Sequence, residues 1–199
     1  LLTRIAPTLF VLLWSSGFIG SKLGAADAEP FTFLAVRFVV VLAVLVPMSL
    51  LMGSRMQTWS QRSHALVAGT MIHGAYLGGV FWAIRNGMPA GVVALIVCLQ
   101  PIATSLLAGP LLGEKLTARH WNGSGLGLAG ALLLFSPRLA AAADTATGMT
   151  GPTLAAAVVA LAGITCGTLY QKRYAAGTPI LAGTVWQFIG ALLLLGALS

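Results

Sequence analysis

The stretch that decides the fold is MPAGVVALIVCLQPIATSLLAGPLLGEK, Met88 to Lys115. From Ala90 to Leu112 it is apolar apart from Cys98, Gln100, Pro101, Thr104, Ser105 and Pro110. At helical rise that run reaches roughly 34 Å, slightly more than the ~30 Å hydrocarbon core of a bilayer. It reads as a membrane span with a polar notch near its midpoint. Pro101 has no amide hydrogen, so one helical hydrogen bond is lost and a carbonyl is freed at membrane depth. Lipid cannot satisfy that carbonyl, which must face protein or a water-filled cavity. Gly113, Glu114 and Lys115, followed by Arg119, His120 and Trp121, read as an interfacial exit.

The rest of the chain repeats the pattern. Of 199 residues 58% are hydrophobic and 8% charged, against about 25% charged in soluble domains. A soluble core of this size has no use for so much apolar surface, and the class is an all-α polytopic membrane protein. The net charge of +7 does not point to nucleic acid, because the basic residues stand singly in the connections, where topology accounts for them. Cys98 and Cys166 fall inside spans, so neither a disulfide nor a metal site is expected. No His-Glu-x-x-His pair occurs and the four carboxylates stand in loops or at helix ends, so an enzyme is not expected. Asn122 replaces the glycine that an intramembrane Gly-x-Ser-Gly protease motif would need before Ser124.

Seven spans are visible. The first runs from about Ile5 to Leu23 and the second from Pro30 to about Gly53. The third covers roughly His64 to Ile84, with Gly74 and Gly78 as a close-packing pair. Ala90 to Leu112 is the fourth. The fifth follows Trp121 and carries Gly123, Gly127 and Gly130 at helical spacing, which would admit a neighbouring backbone. After Pro137 the run of small residues 138–151 is the longest and least apolar connection. The sixth span runs from about Thr153 to Tyr170, and the seventh opens at Pro179. The organisation expected is a first repeat over 1–137, a connecting loop over 138–151 and the start of a second repeat over 152–199. The absence of an initiator methionine and an end close behind an apolar helix suggest a fragment, and no cleavable signal peptide is evident.

With the N-terminus in the cytoplasm, Arg4, Arg55, Arg62, Lys115, Arg119, Lys172 and Arg173 lie inside, and Lys22, Arg85 and Arg138 outside. Seven against three favours this orientation. Pro30 with Arg37 seven residues later resembles Pro179 with Trp186 seven later, and Asp27 and Glu29 are replaced in the second copy by Lys172 and Arg173. A repeat of five spans inverts its second copy, as in secondary transporters that bind substrate where two copies meet.

Several residues could line such a site. Arg37 lies about 10 Å along its helix, where an arginine costs roughly 2.5–3.5 kcal/mol on insertion scales. It is either a cavity cation for an anionic group or a snorkelling side chain reaching Glu29 or Asp27. Lys22, nearer the surface, reads first as snorkelling, and with Arg37 would make a positive vestibule. His73 could relay protons or bind substrate, or simply hydrogen-bond a neighbouring helix. Tyr76 follows three residues later on the same face. Gln100, Pro101 and Thr104 are expected to line the pathway, with Ser16 beside Trp14 and Gln187 beside Trp186. Trp14, Trp82 and Trp186 could form an aromatic cage, although Trp82 fits the interfacial belt as well. Trp59 and Trp121 read as belt residues, and Glu114 beside Lys115 as an interfacial ion pair or helix-terminus feature.

Taken together, Trp14, Ser15, Ser16, Gly17, Phe18 and Lys22, then Pro30 and Arg37, resemble the opening of an EamA-type domain of the drug/metabolite transporter superfamily. Ala94, Leu95, Pro101, Gly113, Glu114, Lys115, Trp121, Gly123 and Gly130 resemble its fourth and fifth helices. The resemblance implies ten helices in two inverted five-helix repeats, of which the second is truncated here. It implies cytoplasmic termini, a bacterial inner-membrane location and a central cavity. It further implies secondary transport, as an exporter of small metabolites such as amino acids or drug-like amphipathic solutes, by alternating access and without a cofactor. The expected partners are the bilayer and a small-molecule substrate, with a homodimer left open. The alternative is a non-transporting membrane scaffold that uses its glycine faces to bind other helices.

Overall fold

A computed structural model describes residues 29–55, 58–114, 117–145 and 148–199, with Ile5, Thr8 and Leu12 as isolated helical positions, and gives the backbone alone at 134–135 and 137–145. The first expected span lies outside the described residues, and with it Trp14, Ser16 and Lys22. Helices α1 (Pro30–Leu51), α2 (Trp59–Arg85), α3 (Ala90–Leu112), α4 (Ala118–Thr145), α5 (Gly151–Tyr174) and α6 (Ile180–Leu198) stand where the second to seventh spans are expected. Among the described residues there is no strand, and five helices are long and apolar enough to cross a bilayer: α1, α2, α3, α5 and α6. The protein is an all-helical, multi-pass membrane protein.

Local chemistry sets the helix ends. Thr58 caps α2 through a capping box with Gln61, two polar contacts that satisfy amides with no helical partner. They start α2 at Trp59, five residues before the apolar pattern that begins near His64. Thr150 and Thr153 form a second box at the start of α5. Gly113 ends α3 in the left-handed region (φ 69°) that glycine adopts without strain.

One connection differs from expectation. The stretch from Arg138 onward is not a loop, because α4 continues through Pro137 to Thr145. Pro137 cannot donate to the Leu133 carbonyl, and the Ser136 hydroxyl donates to it instead at 2.9 Å. The alanines at 140–143 then favour helix over any other conformation.

The chain threads up and down, so that Ser54, Arg62, Glu114, Lys172 and Ala182 share one end of the bundle. Glu29, Arg85, Gly87 and Gly148 share the other. The Ser54 Oγ accepts from the Ala182 amide at 3.3 Å, and a Cβ on Gly148 would run into the Gly87 carbonyl. Arg55, Arg62, Arg119, Lys172 and Arg173 make the first end the basic one.

The centre is packed through glycine. On α2, Gly69 lies against the Gln187 backbone of α6 and Gly79 against the Ala156 carbonyl of α5. In return Gly190 of α6 meets the Leu66 carbonyl, while Gly163 and Gly167 of α5 meet Met71 and Ile72. Gly74 and Gly78 also pack closely, against Leu194 and Leu195. By contrast, no described atom comes within 4 Å of a Cβ built on Gly123, Gly127 or Gly130, so the described helices leave the glycine face of α4 uncovered. Leu34, Phe38, Phe81, Met88 and Leu195 fill the core between the crossings. Val36, Val40 and Val44 of α1 are exposed, as side chains facing lipid would be.

These contacts rank the glycines. Gly163→Leu or Gly190→Leu, which would push side-chain atoms into a neighbouring backbone, should destabilise the chain in detergent by about 1–3 kcal/mol or more. Gly127→Leu should stay within about 0.5 kcal/mol of the parent. Thermal unfolding of the three variants checks the order.

Candidate functional site

The i→i−4 ladder of α2 is interrupted at mid-membrane by one π-helical segment, Thr70–Ala75. Such wide turns concentrate at functional sites. Gly69 and Gly74 flank or occupy it, and the Thr70 hydroxyl donates to the Leu66 carbonyl at 3.0 Å. The segment carries His73. Its ring stacks on Phe188 of α6 with centroids 4.7 Å apart and planes at 11°, and meets the edge of Phe38 of α1 at 6.4 Å. Phe38 and Phe188 touch each other at 5.1 Å. The side chain of Gln187, 9% exposed, is within hydrogen-bonding reach of His73, and the charge of Arg37 acts on the same ring. The structure therefore sets His73 of α2 against Phe38 of α1 and Phe188 of α6, the sequence neighbours of Arg37 and Gln187.

Tyr76 is buried in the core cluster that also holds Phe38, with Phe188 packed against that cluster, and lies within electrostatic reach of Cys98 on α3.

The α3 notch is real: at Cys98 and Leu99 the α-helical ladder is interrupted while both residues keep right-handed helical dihedrals. Cys98 N donates to the Ala94 carbonyl at 2.8 Å, Leu99 N makes the tighter bond to Ile96 at 3.1 Å, and Ala103 N resumes the ladder on Leu99 at 2.9 Å. Pro101 has no hydrogen for Val97. Gln100 is half-buried, Pro101 is exposed, and Thr104 turns a buried hydroxyl that has no partner among the described residues. These three sit on α3, apart from the His73 patch, with Tyr76 and Cys98 between.

Trp186 does not join the patch. It lies at the basic end, edge-on to Trp59 at 6.5 Å and beneath the Arg62 guanidinium at 5.6 Å. Trp82 lines a hollow at the opposite end, so Trp82 and Trp186 do not form one cage. That hollow, about 450 Å³, is walled by Gly74, Gly78 and Trp82 of α2, Pro152 and Ala156 of α5, and Leu198 of α6. Glu114 pairs with Lys172 of α5, Nζ to Oε1 2.5 Å. Its sequence neighbour Lys115 lies outside the described residues.

Arg37 is exposed and makes no ion pair among the described residues. Glu29, one of the two carboxylates within snorkelling reach, is otherwise engaged: it caps α1, Oε1 accepting from Phe31 N at 3.0 Å and Oε2 from Thr32 N at 2.6 Å. Asp27 lies outside the described residues. Partial burial acts to raise the pKa of Glu29, but the amides of Thr32 and Phe31 outweigh it and hold the carboxyl below the usual glutamate range. Phe38 and Phe188 carried no polar signal in the sequence. Their position directly after Arg37 and Gln187 was the clue to them.

The arrangement is that of a multi-pass membrane protein with a polar patch inside its helices, and the comparisons with known proteins place it further. Residues 5–136 match the EamA-like transporter family, and the chain belongs to that family, within the drug/metabolite transporters. It is 23% identical over 186 residues to the uncharacterized inner membrane transporter YedA of Escherichia coli, covering 92% of this chain and 58% of that protein. It is 28% identical over 177 residues to a probable amino-acid metabolite efflux pump of the same organism, covering 85% and 53%. The chain thus spans a little over half the length of these relatives. No solved structure matches it.

The Glu29 cap makes a pH dependence. Its depressed pKa contributes stability above the ordinary glutamate range, and that contribution is lost as pH falls through the lowered folded value. Unfolding scans between neutral pH and pH 3 should lose more stability in the parent than in Glu29→Gln, by roughly a few tenths of a kcal/mol at this solvent-screened cap.

Proposed function

We propose that the sequence forms the first five-helix repeat and the opening of the second in a secondary transporter of the inner membrane, one that exports small polar or amphipathic metabolites by alternating access. The seven-span count adds the first span and α4 to the five helices above, and ten spans complete the two inverted repeats. The basic end of the bundle faces the cytoplasm, where positive residues are retained. That orientation puts the N-terminus inside and Glu29 outside.

One observation carries this reading. His73 packs on Phe38 and Phe188, the sequence neighbours of Arg37 and Gln187, at membrane depth where α1 and α2, from residues 1–137, meet α6, from residues 152–199. Intramembrane polar side chains are costly and are kept where they face a pathway or a partner. The seam between inverted repeats is where carriers bind their cargo. Arg37, with no carboxylate among the described residues, suits an anionic group on the solute, and Gln187 supplies neutral donors and acceptors. The likeness to a probable amino-acid metabolite efflux pump supports solutes of that size and chemistry.

A second reading is favoured by one feature. The glycine face of α4, open at Gly123, Gly127 and Gly130, is shaped for another helix, as a non-transporting scaffold would require. A partner recovered reproducibly in detergent, together with absence of flux, would favour it.

The test is efflux from vesicles holding the full-length protein. Arg37→Ala with Gln187→Ala should lower kcat/KM for an anionic solute by roughly tenfold to a hundredfold, the cost of leaving a charged group unpaired. Unchanged flux in the double variant would remove the patch from the mechanism.

A further inference from the structure

The basic end of the bundle is tied by contacts that include four joining residues before 137 to residues after 152: Glu114–Lys172, Leu111–Arg173, His64–Tyr170 and His64–Tyr174. Lys172 Nζ of α5 meets Glu114 Oε1 behind α3 at 2.5 Å. Arg173 Nη1 donates to the Leu111 carbonyl of α3 at 2.5 Å, and its guanidinium lies 5.4 Å from the Tyr174 ring. His64 Nδ1 of α2 is 2.8 Å from the Tyr170 hydroxyl of α5. The His64 ring also stacks on Tyr174, 5.2 Å and 13°, while Tyr170 and Tyr174 touch at 4.8 Å. At the opposite end the same two parts of the chain meet where Gly79 packs on the Ala156 carbonyl, beside an apolar hollow between Trp82 and Pro152.

We propose that His64, Tyr170 and Tyr174, with the Glu114–Lys172 pair and Arg173 on the Leu111 carbonyl, are a latch that shuts the basic face and parts once in each transport cycle. The inference rests on the carrier reading above. If two repeats rock against each other, contacts that cross between them at one face must break when that face opens, whereas contacts inside a repeat need not. The Glu114–Lys172 pair is solvent-exposed, its side chains 40% and 59% accessible. An exposed ion pair binds weakly, which suits a contact that is made and released repeatedly. Deeper in the seam, Gly163 and Gly167 let Met71, Ile72 and Ala75 of α2 come up against the α5 backbone. With no α5 side chains at those two positions, this crossing is the point about which α2 and α5 pivot while the latch ends separate.

The experiment uses the full-length protein in vesicles, with His64→Cys and Tyr170→Cys in a background carrying Cys98→Ala and Cys166→Ala, and a reducible bifunctional thiol crosslinker. The reference is the same variant after reduction. Crosslinking should lower the initial flux at least about tenfold, as expected when a gating motion is blocked, and reductant should restore it. A charge exchange gives a second reading free of crosslinks: Glu114→Lys alone should depress flux, and Glu114→Lys with Lys172→Glu should recover it. Flux that persists in the crosslinked protein overturns the latch, as does failure of the two cysteines to crosslink in a protein that transports. Absence of flux in both the parent and the reduced variant, for every solute tried, instead defeats the carrier reading and removes the latch with it.

Discussion

The structure depends on how closely α2 approaches α5 and α6. In a bilayer, burying apolar surface gains little, because lipid tails are as apolar as leucine, and helices associate through close contact instead. Glycine at the crossings is what permits it: Gly69 and Gly190 bring α2 and α6 together at the Gln187 and Leu66 backbones, and Gly79, Gly163 and Gly167 do the same for α2 and α5. These contacts clamp the π segment Thr70–Ala75 from two sides. A wide turn exposed to lipid would leave carbonyls without donors, whereas here α5 and α6 cover it. The same clamp fixes the direction of His73, whose ring lies flat on Phe188.

From this follows a division of labour along the seam between the two parts of the chain. The middle is packed closely through glycines and a core of large side chains, with His73 and Gln187 among its polar members. The basic end holds aromatic and ionic ties that are individually weak and close to water. The other end combines a close glycine contact with a hollow lined by carbon. The seam is therefore bonded differently at its two ends.

Much of this was legible in the sequence because lipid imposes coarse rules. Apolar runs of some twenty residues located α1, α3 and α6, and Pro101 marked the break in α3, since proline always removes a donor. The grouping of Arg37, His73 and Gln187 was half visible, as polar residues too deep to be accidental. What was hidden depends on partners far away in the chain. Nothing periodic announces that His64 will meet Tyr170, or that Trp186 will lie under Arg62 instead of beside His73. The glycines of α4 looked like the packing face, yet Gly163 and Gly167, four residues apart in the same spacing, are the ones in contact. The π segment was invisible because it follows from the clamp. The connection after Pro137 misled because small residues serve loops and helices equally, and only the Ser136 bond to Leu133 tips the balance.

The two irregular places in the membrane are neighbours, and that is not a coincidence of drawing. Tyr76 closes the π segment of α2 and comes within reach of Cys98, the residue at which α3 breaks. Each irregularity strips backbone groups of their helical partners, and in lipid each stripped group would cost several kcal/mol. Placing both against the same interior spends that cost where protein side chains or water can answer it. The Thr104 hydroxyl, one and a half turns past the break, and the Thr165 hydroxyl on α5 are buried without a partner among the described residues, so side-chain polarity on these helices continues beyond the irregular turns. Backbone and side-chain polarity thus gather in the interior, the one region lipid cannot reach.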